Sequence, residues 1–142
     1  MEVKSSSPKE TQKIAKDLTK SLKAGDTIAL YGDLGAGKTV FVQGLAKGLA
    51  IAAKITSPTF VFMRTYPVKI KGENLTLYHI DLYRGQNSED FESLGLGEIL
   101  DSRAIVILEW ADKIKNILPK KRIDVVIEKL DEKSRRIKID RH

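Results

Sequence analysis

The chain has no cysteine. That absence excludes a disulfide framework, a thiol nucleophile and any cysteine-ligated zinc or iron–sulfur centre. Histidine is nearly missing too: only His79 and His142 occur, so a multi-histidine metal site has no material. No run approaches the roughly eighteen apolar residues of a membrane helix. The opening MEVKSSSPKE lacks the apolar core of a signal peptide. A soluble, cytoplasmic protein with no membrane association is therefore expected. Its 142 residues suit a single domain, 1–142, which at this size buries about two-thirds of its unfolded surface.

The net charge of +6 is unevenly placed. Residues 1–112 hold 14 basic and 14 acidic side chains, whereas residues 113–142 hold 11 basic and 5 acidic ones. The excess belongs to the C-terminal fifth. It reads first as a lysine-rich solvated edge, and second as a patch for RNA or a protein partner.

Helices and strands alternate early, and strands dominate late. Ser7 with Glu10 makes a capping box with Pro8 at the first helical position; Ile14, Ala15, Leu18 and Leu22 recur at helical spacing up to Gly25. Thr27–Tyr31 reads as a strand, followed by a glycine-rich turn and a helix over Lys38–Leu49. Phe60–Tyr66 and Leu75–Tyr83 suggest a hairpin turning at Lys71–Asn74. Ser88 is a candidate cap for a short helical stretch interrupted at Gly95 and Gly97. Ala104–Leu108 is continuously apolar, as suits a strand covered on both faces. A short helix over Asp112–Leu118 is expected to stop at Pro119. Ile123–Leu130 and Arg136–Asp140 alternate as a second hairpin. The pattern predicts a small α/β domain with a mixed central sheet and added antiparallel hairpins; the glycine-rich motif at Gly32–Thr39 makes it three-layered and of P-loop NTPase type.

Gly32-Asp-Leu-Gly-Ala-Gly-Lys-Thr39 fits G-x-x-x-x-G-K-[ST] without a mismatch, after a predicted strand and before a predicted helix. Gly32, Gly35 and Gly37 permit backbone conformations that turn successive N–H groups into one anion-sized hollow. The helix that follows adds its positive N-terminal end. Lys38 is placed to reach β- and γ-phosphates, and the Thr39 hydroxyl to bind Mg²⁺. Nothing structural requires Lys-Thr after the third glycine.

A second acid is needed at such a site. Glu109 follows the apolar strand and is expected at its carboxyl end, where ligands of α/β proteins bind. Asp81 ends the other strong strand, sharing a face with His79 and Tyr83. On spacing alone Asp81 suits an acid that holds a metal-bound water or orients the attacking water, or equally a surface turn carboxylate. None of Asn74, Asn87 or Asn116 begins an Asn-Lys-x-Asp segment, which favours ATP over GTP.

Several motifs together resemble the TsaE ATPases of bacterial tRNA threonylcarbamoyladenosine biosynthesis. They are Leu30–Thr39 with Phe41 and Gln43-Gly44, Thr56–Phe60 (TSPTF), Tyr78–Arg84 (YHIDLYR), Leu94–Leu96 and Ile107–Trp110 (ILEW). The resemblance implies that Asp33, Gly35, Ala36, Gly37, Lys38, Thr39 and Val40 form the phosphate-binding loop. It also implies Mg²⁺ ligation by Thr39 and Glu109, a switch-like role over the γ-phosphate for Thr59, and a need for Asp81 in activity. Thr11 corresponds to a position near the adenine and Trp110 to a tryptophan beside the nucleotide. A core role for Trp110 and an ordinary turn at Ser57–Thr59 remain open from the residues alone. His79 reads as a packed or hydrogen-bonded histidine.

The implied activity is Mg²⁺-dependent ATP hydrolysis by Lys38, Asp81 and Glu109, weak alone and stimulated by a TsaB–TsaD pair that modifies tRNA. Arg84 is the nearest in-chain candidate for added positive charge. A small-molecule kinase and an ATP-gated adaptor without useful hydrolysis stand as alternatives. A kinase would want an arginine-bearing lid, and Arg135-Arg136 is the only arginine cluster.

Overall fold

Ser7 opens the first helix, α1, Pro8–Leu18. In the computed structural model its side chain accepts a 3.1 Å hydrogen bond from the Glu10 amide. Glu10 reaches one residue further back than a capping box requires, accepting from the Ser6 amide at 2.7 Å. Such caps contribute about 1 kcal/mol. The structure describes residues 1–33, 35–51, 63–82 and 95–142, apart from the side chain of Lys113.

Among the described residues one sheet holds seven strands. These are β1, Glu2–Ser5; β2, Thr27–Tyr31; β3, Met63–Ile70; β4, Glu73–Asp81; β5, Ile105–Glu109; β6, Ile123–Lys129; and β7, Arg135–Arg141. Their spatial order is β1-β7-β6-β2-β5-β4-β3. The four inner strands β6, β2, β5 and β4 run parallel; β3 pairs antiparallel with β4, β7 with β6, and β1 with β7. Two further helices are α2, Lys38–Gly48, and α3, Leu96–Leu100.

Alternation assigns the two faces of the sheet. Ile28 and Leu30 of β2, with Ile105 and Ile107 of β5, pack with Ala15 of α1 and Phe41 and Leu45 of α2. Ala29, Val106 and Leu108 face the other way, toward Leu96, Leu100, Ala111 and Ile114. Both central strands are thus covered on both sides, as their unbroken apolar composition predicts. The α/β class, helices on both faces, mixed sheet and added hairpins are all observed.

The structure corrects several boundaries. β1 was not expected; it is held to β7 by cross-strand pairing and by the terminal amine, which donates to the Ile139 carbonyl at 2.9 Å. The first hairpin turns on Lys71-Gly72 alone, with Glu73 and Asn74 already in β4. Both turn residues have positive φ (50° and 83°), the twist that suits two-residue hairpin loops. The expected helix over 112–118 is instead a 3-10 turn at Ala111–Ile114. β5 begins and ends one residue later than expected, so Glu109 belongs to the strand. Residues 60–62 and 83, and the stretch from Ser88 to Leu94, lie outside the described residues.

Candidate functional site

β2 is buried until Tyr31 and delivers the chain into the glycine-rich loop between β2 and α2. A Cβ at Gly32 would stand 2.7 Å from the Ile127 carbonyl oxygen, so no other residue fits there without a shift. Gly37 caps α2 at φ 106°, in the left-handed region. The loop is braced internally, the Ala36 amide donating to the Asp33 carbonyl at 2.9 Å. The first amides of α2, from Lys38, Thr39 and Val40, have no partner within the helix, and the helix dipole adds positive potential at this end. Leu34 lies outside the described residues.

The Lys38 ammonium lies within this arrangement. It donates to the Gly32 carbonyl and, at 3.1 Å, to the Asp33 carbonyl. It also stands 3.7 Å from the centroid of the Trp110 ring. Burial pulls its pKa below the usual lysine value, while the carboxylates of Glu109, Asp33, Asp81 and Asp112 oppose that shift. Trp110 is half-buried, packs against the cluster beneath β2 and β5, and has φ 62°. The left-handed region is costly for a bulky residue and collects at functional sites. The core reading is met in part, since the side chain packs against that cluster, and the ring faces the Lys38 ammonium.

Glu109 and Asp81 end adjacent parallel strands in register with each other, and Glu109 is also in register with Leu30 of β2. Glu109 is buried, and His79 Nε2 lies 2.6 Å from its Oε2. His79 is thus the hydrogen-bonded histidine expected, with a partner the sequence did not name. Asp81 is half-buried at the carboxyl end of β4. Thr39 is half-buried in the first turn of α2.

Thr11 sits on the flank of the loop. It is buried, its hydroxyl 2.7 Å from that of Ser5, and it lines a small recess with Ser7, Val40, Lys133 and Arg135. Thr59 and Arg84 lie outside the described residues.

Arg135 is the residue sequence reasoning missed. It starts β7, and its Nε donates to the Ala36 carbonyl at 2.8 Å. A second guanidinium nitrogen, Nη1, donates to the Asp131 and Ser134 carbonyls. It therefore ties the β6–β7 turn to the phosphate loop. The signal was available in its phase: Arg135 alternates with the buried Ile137 and Ile139 rather than with the exposed Arg136 and Lys138.

Chemically, the site joins the free amides at the start of α2 to one ammonium with carboxylates around it. Among the described residues no group of three His, Cys, Asp or Glu side chains could hold a metal ion. The hard oxygens of Thr39 and Glu109 nonetheless fit Mg²⁺, which takes few protein ligands and completes its shell with water and phosphate oxygens.

A family model described as "Threonylcarbamoyl adenosine biosynthesis protein TsaE" matches residues 5–137. The tRNA threonylcarbamoyladenosine biosynthesis protein TsaE of Bacillus subtilis is 40% identical over 130 residues, covering 92% of this chain and 78% of that protein. The protein of the same name from Treponema pallidum is 37% identical over 118 residues, covering 83% of this chain and 84% of its own length. The crystal structure of Bacillus subtilis YdiB superposes with a TM-score of 0.77 at 36% identity, covering 96% of this chain and 82% of that one. The fold is that of the P-loop NTPases. With a glycine loop, a buried strand ending at Glu109 with Trp110 next, and these relatives in agreement, the chain belongs to the TsaE family.

Proposed function

We propose that this chain is a cytoplasmic, single-domain, Mg²⁺-dependent ATPase that acts in the biosynthesis of threonylcarbamoyladenosine on tRNA. The names of its relatives supply the pathway. One observation supports the chemistry most: the Lys38 ammonium lies inside the loop at the end of β2, while Glu109 ends the neighbouring strand β5.

In this reading Asp33, Gly35, Ala36, Gly37, Lys38, Thr39 and Val40 form the phosphate cradle, Ala36 bracing it through its bond to Asp33, and Lys38 neutralises the β- and γ-oxygens. Thr39 and Glu109 would hold Mg²⁺, which would neutralise charge on the phosphate oxygens. Asp81 orients the water that attacks the γ-phosphorus. The bond to the β–γ bridging oxygen breaks, and ADP and inorganic phosphate leave. Thr11 borders the nucleoside, Trp110 packs beside the phosphates, and Thr59 belongs to a loop that responds to the γ-phosphate. The TsaB–TsaD pair carries out the transfer to tRNA, and stimulates an ATPase that is weak alone. Contact with tRNA is indirect, through that pair.

The test is made in cells. Depleting the protein removes threonylcarbamoyladenosine from total tRNA nucleosides; wild type restores it and Lys38→Ala does not. Unchanged nucleoside levels after depletion would overturn the pathway assignment. Restoration by Glu109→Ala would favour an adaptor that binds ATP without needing to cleave it.

A further inference from the structure

Glu109 is buried at the end of β5, and a carboxylate out of water needs a partner. His79, itself buried, provides one from β4, where it pairs in register with Ile107, two residues before Glu109. The Nε2···Oε2 distance of 2.6 Å is that of a charge-assisted hydrogen bond. With Glu109 ionised, Nε2 must carry the proton and donate. Among the described residues the other ring nitrogen, Nδ1, has no partner although it is buried. The ring therefore directs its one satisfied polar contact at Glu109. It is poorly suited to ligate magnesium itself, because that ion selects hard oxygens over imidazole.

We propose that His79 is a positioning residue, which fixes the Glu109 carboxylate for Mg²⁺ ligation. The inference rests on the Mg·ATP reading given above. Partners behind a ligand orient it, and their loss typically costs about 10–100-fold in metal affinity. A histidine kept only to fill space would leave that affinity alone.

The experiment titrates MgCl₂ at a fixed saturating ATP concentration, read by the fluorescence of Trp110, the single tryptophan. ATP binding is measured separately in EDTA. In His79→Leu the Mg²⁺ midpoint rises about 10–100-fold, while ATP binding in EDTA stays at the wild-type level. His79→Gln, which retains an N–H donor on a longer side chain, recovers part or all of the shift. If the leucine variant does not fold, His79→Asn replaces it, because its shorter amide falls short of Glu109. Equal midpoints for wild type and His79→Leu or His79→Asn overturn the proposal, as does a His79→Gln midpoint no better than theirs. A wild type whose Trp110 emission does not respond to Mg²⁺ at saturating ATP overturns the ATPase reading and this inference together. A responsive wild type with unshifted variants removes the positioning role alone.

Discussion

The Lys38 ammonium faces the Trp110 ring, 3.7 Å from its centroid, while donating to two carbonyls of its own loop. A polyphosphate competes for the same ammonium protons, so its arrival alters what Trp110 experiences. ATP is therefore expected to change Trp110 emission. A charge-assisted hydrogen bond contributes about 1.5–3 kcal/mol, which is about 10–100-fold in affinity. Lys38→Met should weaken ATP binding by that factor and abolish most of the emission change, read by fluorescence titration and calorimetry.

The paired strand ends separate binding from hydrolysis. Asp81 and Glu109 lie opposite one another, with Lys38 between the glycine loop and Trp110. Asp81→Asn is expected to keep ATP affinity within a few-fold and to lose about 100-fold or more in phosphate release, the range of a positioned acid–base group. Glu109→Ala should bind ATP in EDTA yet fail to hydrolyse it with magnesium. Single-turnover assays beside calorimetry read both outcomes.

The two helices on the loop's face touch at a glycine. A Cβ on Gly44 of α2 would lie 2.5 Å from the Gln12 carbonyl oxygen and 2.8 Å from the Ala15 Cβ. Backbone cannot yield as a flexible side chain does. Gly44→Ala should cost about 1–3 kcal/mol of stability through overpacking, read as a lower urea midpoint with an unchanged slope.

The β6–β7 turn carries a pH signature. Asp131 accepts from the amides of Lys133 and Ser134 at 2.9 and 2.8 Å, and these bonds hold its carboxyl below the ordinary value of 3.8. A depressed folded pKa means that the stabilisation is complete above the unfolded value and fades as pH falls through the folded one. The Lys133 and Ser134 amide resonances should thus stay fixed from pH 7 to about 5 and move at lower pH with a midpoint below 3.8. Asp131→Ala should shift both at neutral pH, and shift the Ala36 amide through Arg135, whose Nη1 donates to the Asp131 carbonyl and whose Nε donates to the Ala36 carbonyl.

Much of this architecture is legible in short stretches of sequence, because its causes are local. Ser7 with Glu10, the three loop glycines before Lys38, and the apolar run before Glu109 each act within a few residues. What could not be read depends on partners far along the chain. β1 has Val3 as its only large apolar residue, and it exists because β7 offers an edge more than a hundred residues away. His79 meets Glu109 through the register of β4 on β5, which neither strand reveals alone. Arg135 stood in the sequence only as one of an arginine cluster; sharing its phase with Ile137 and Ile139 places it on the phosphate-loop side. The expected helix after Trp110 shortened to a 3-10 turn that starts from a left-handed residue.

The fate of the γ-phosphate tests the central claim most directly. Purified protein with γ-labelled ATP and magnesium is assayed with and without the TsaB–TsaD pair, and with a pool of small metabolites. The account predicts label in inorganic phosphate, released slowly by the protein alone, faster with the pair, and not at all by Glu109→Ala. Label appearing on a metabolite, or remaining in ATP when the pair is present, would contradict it.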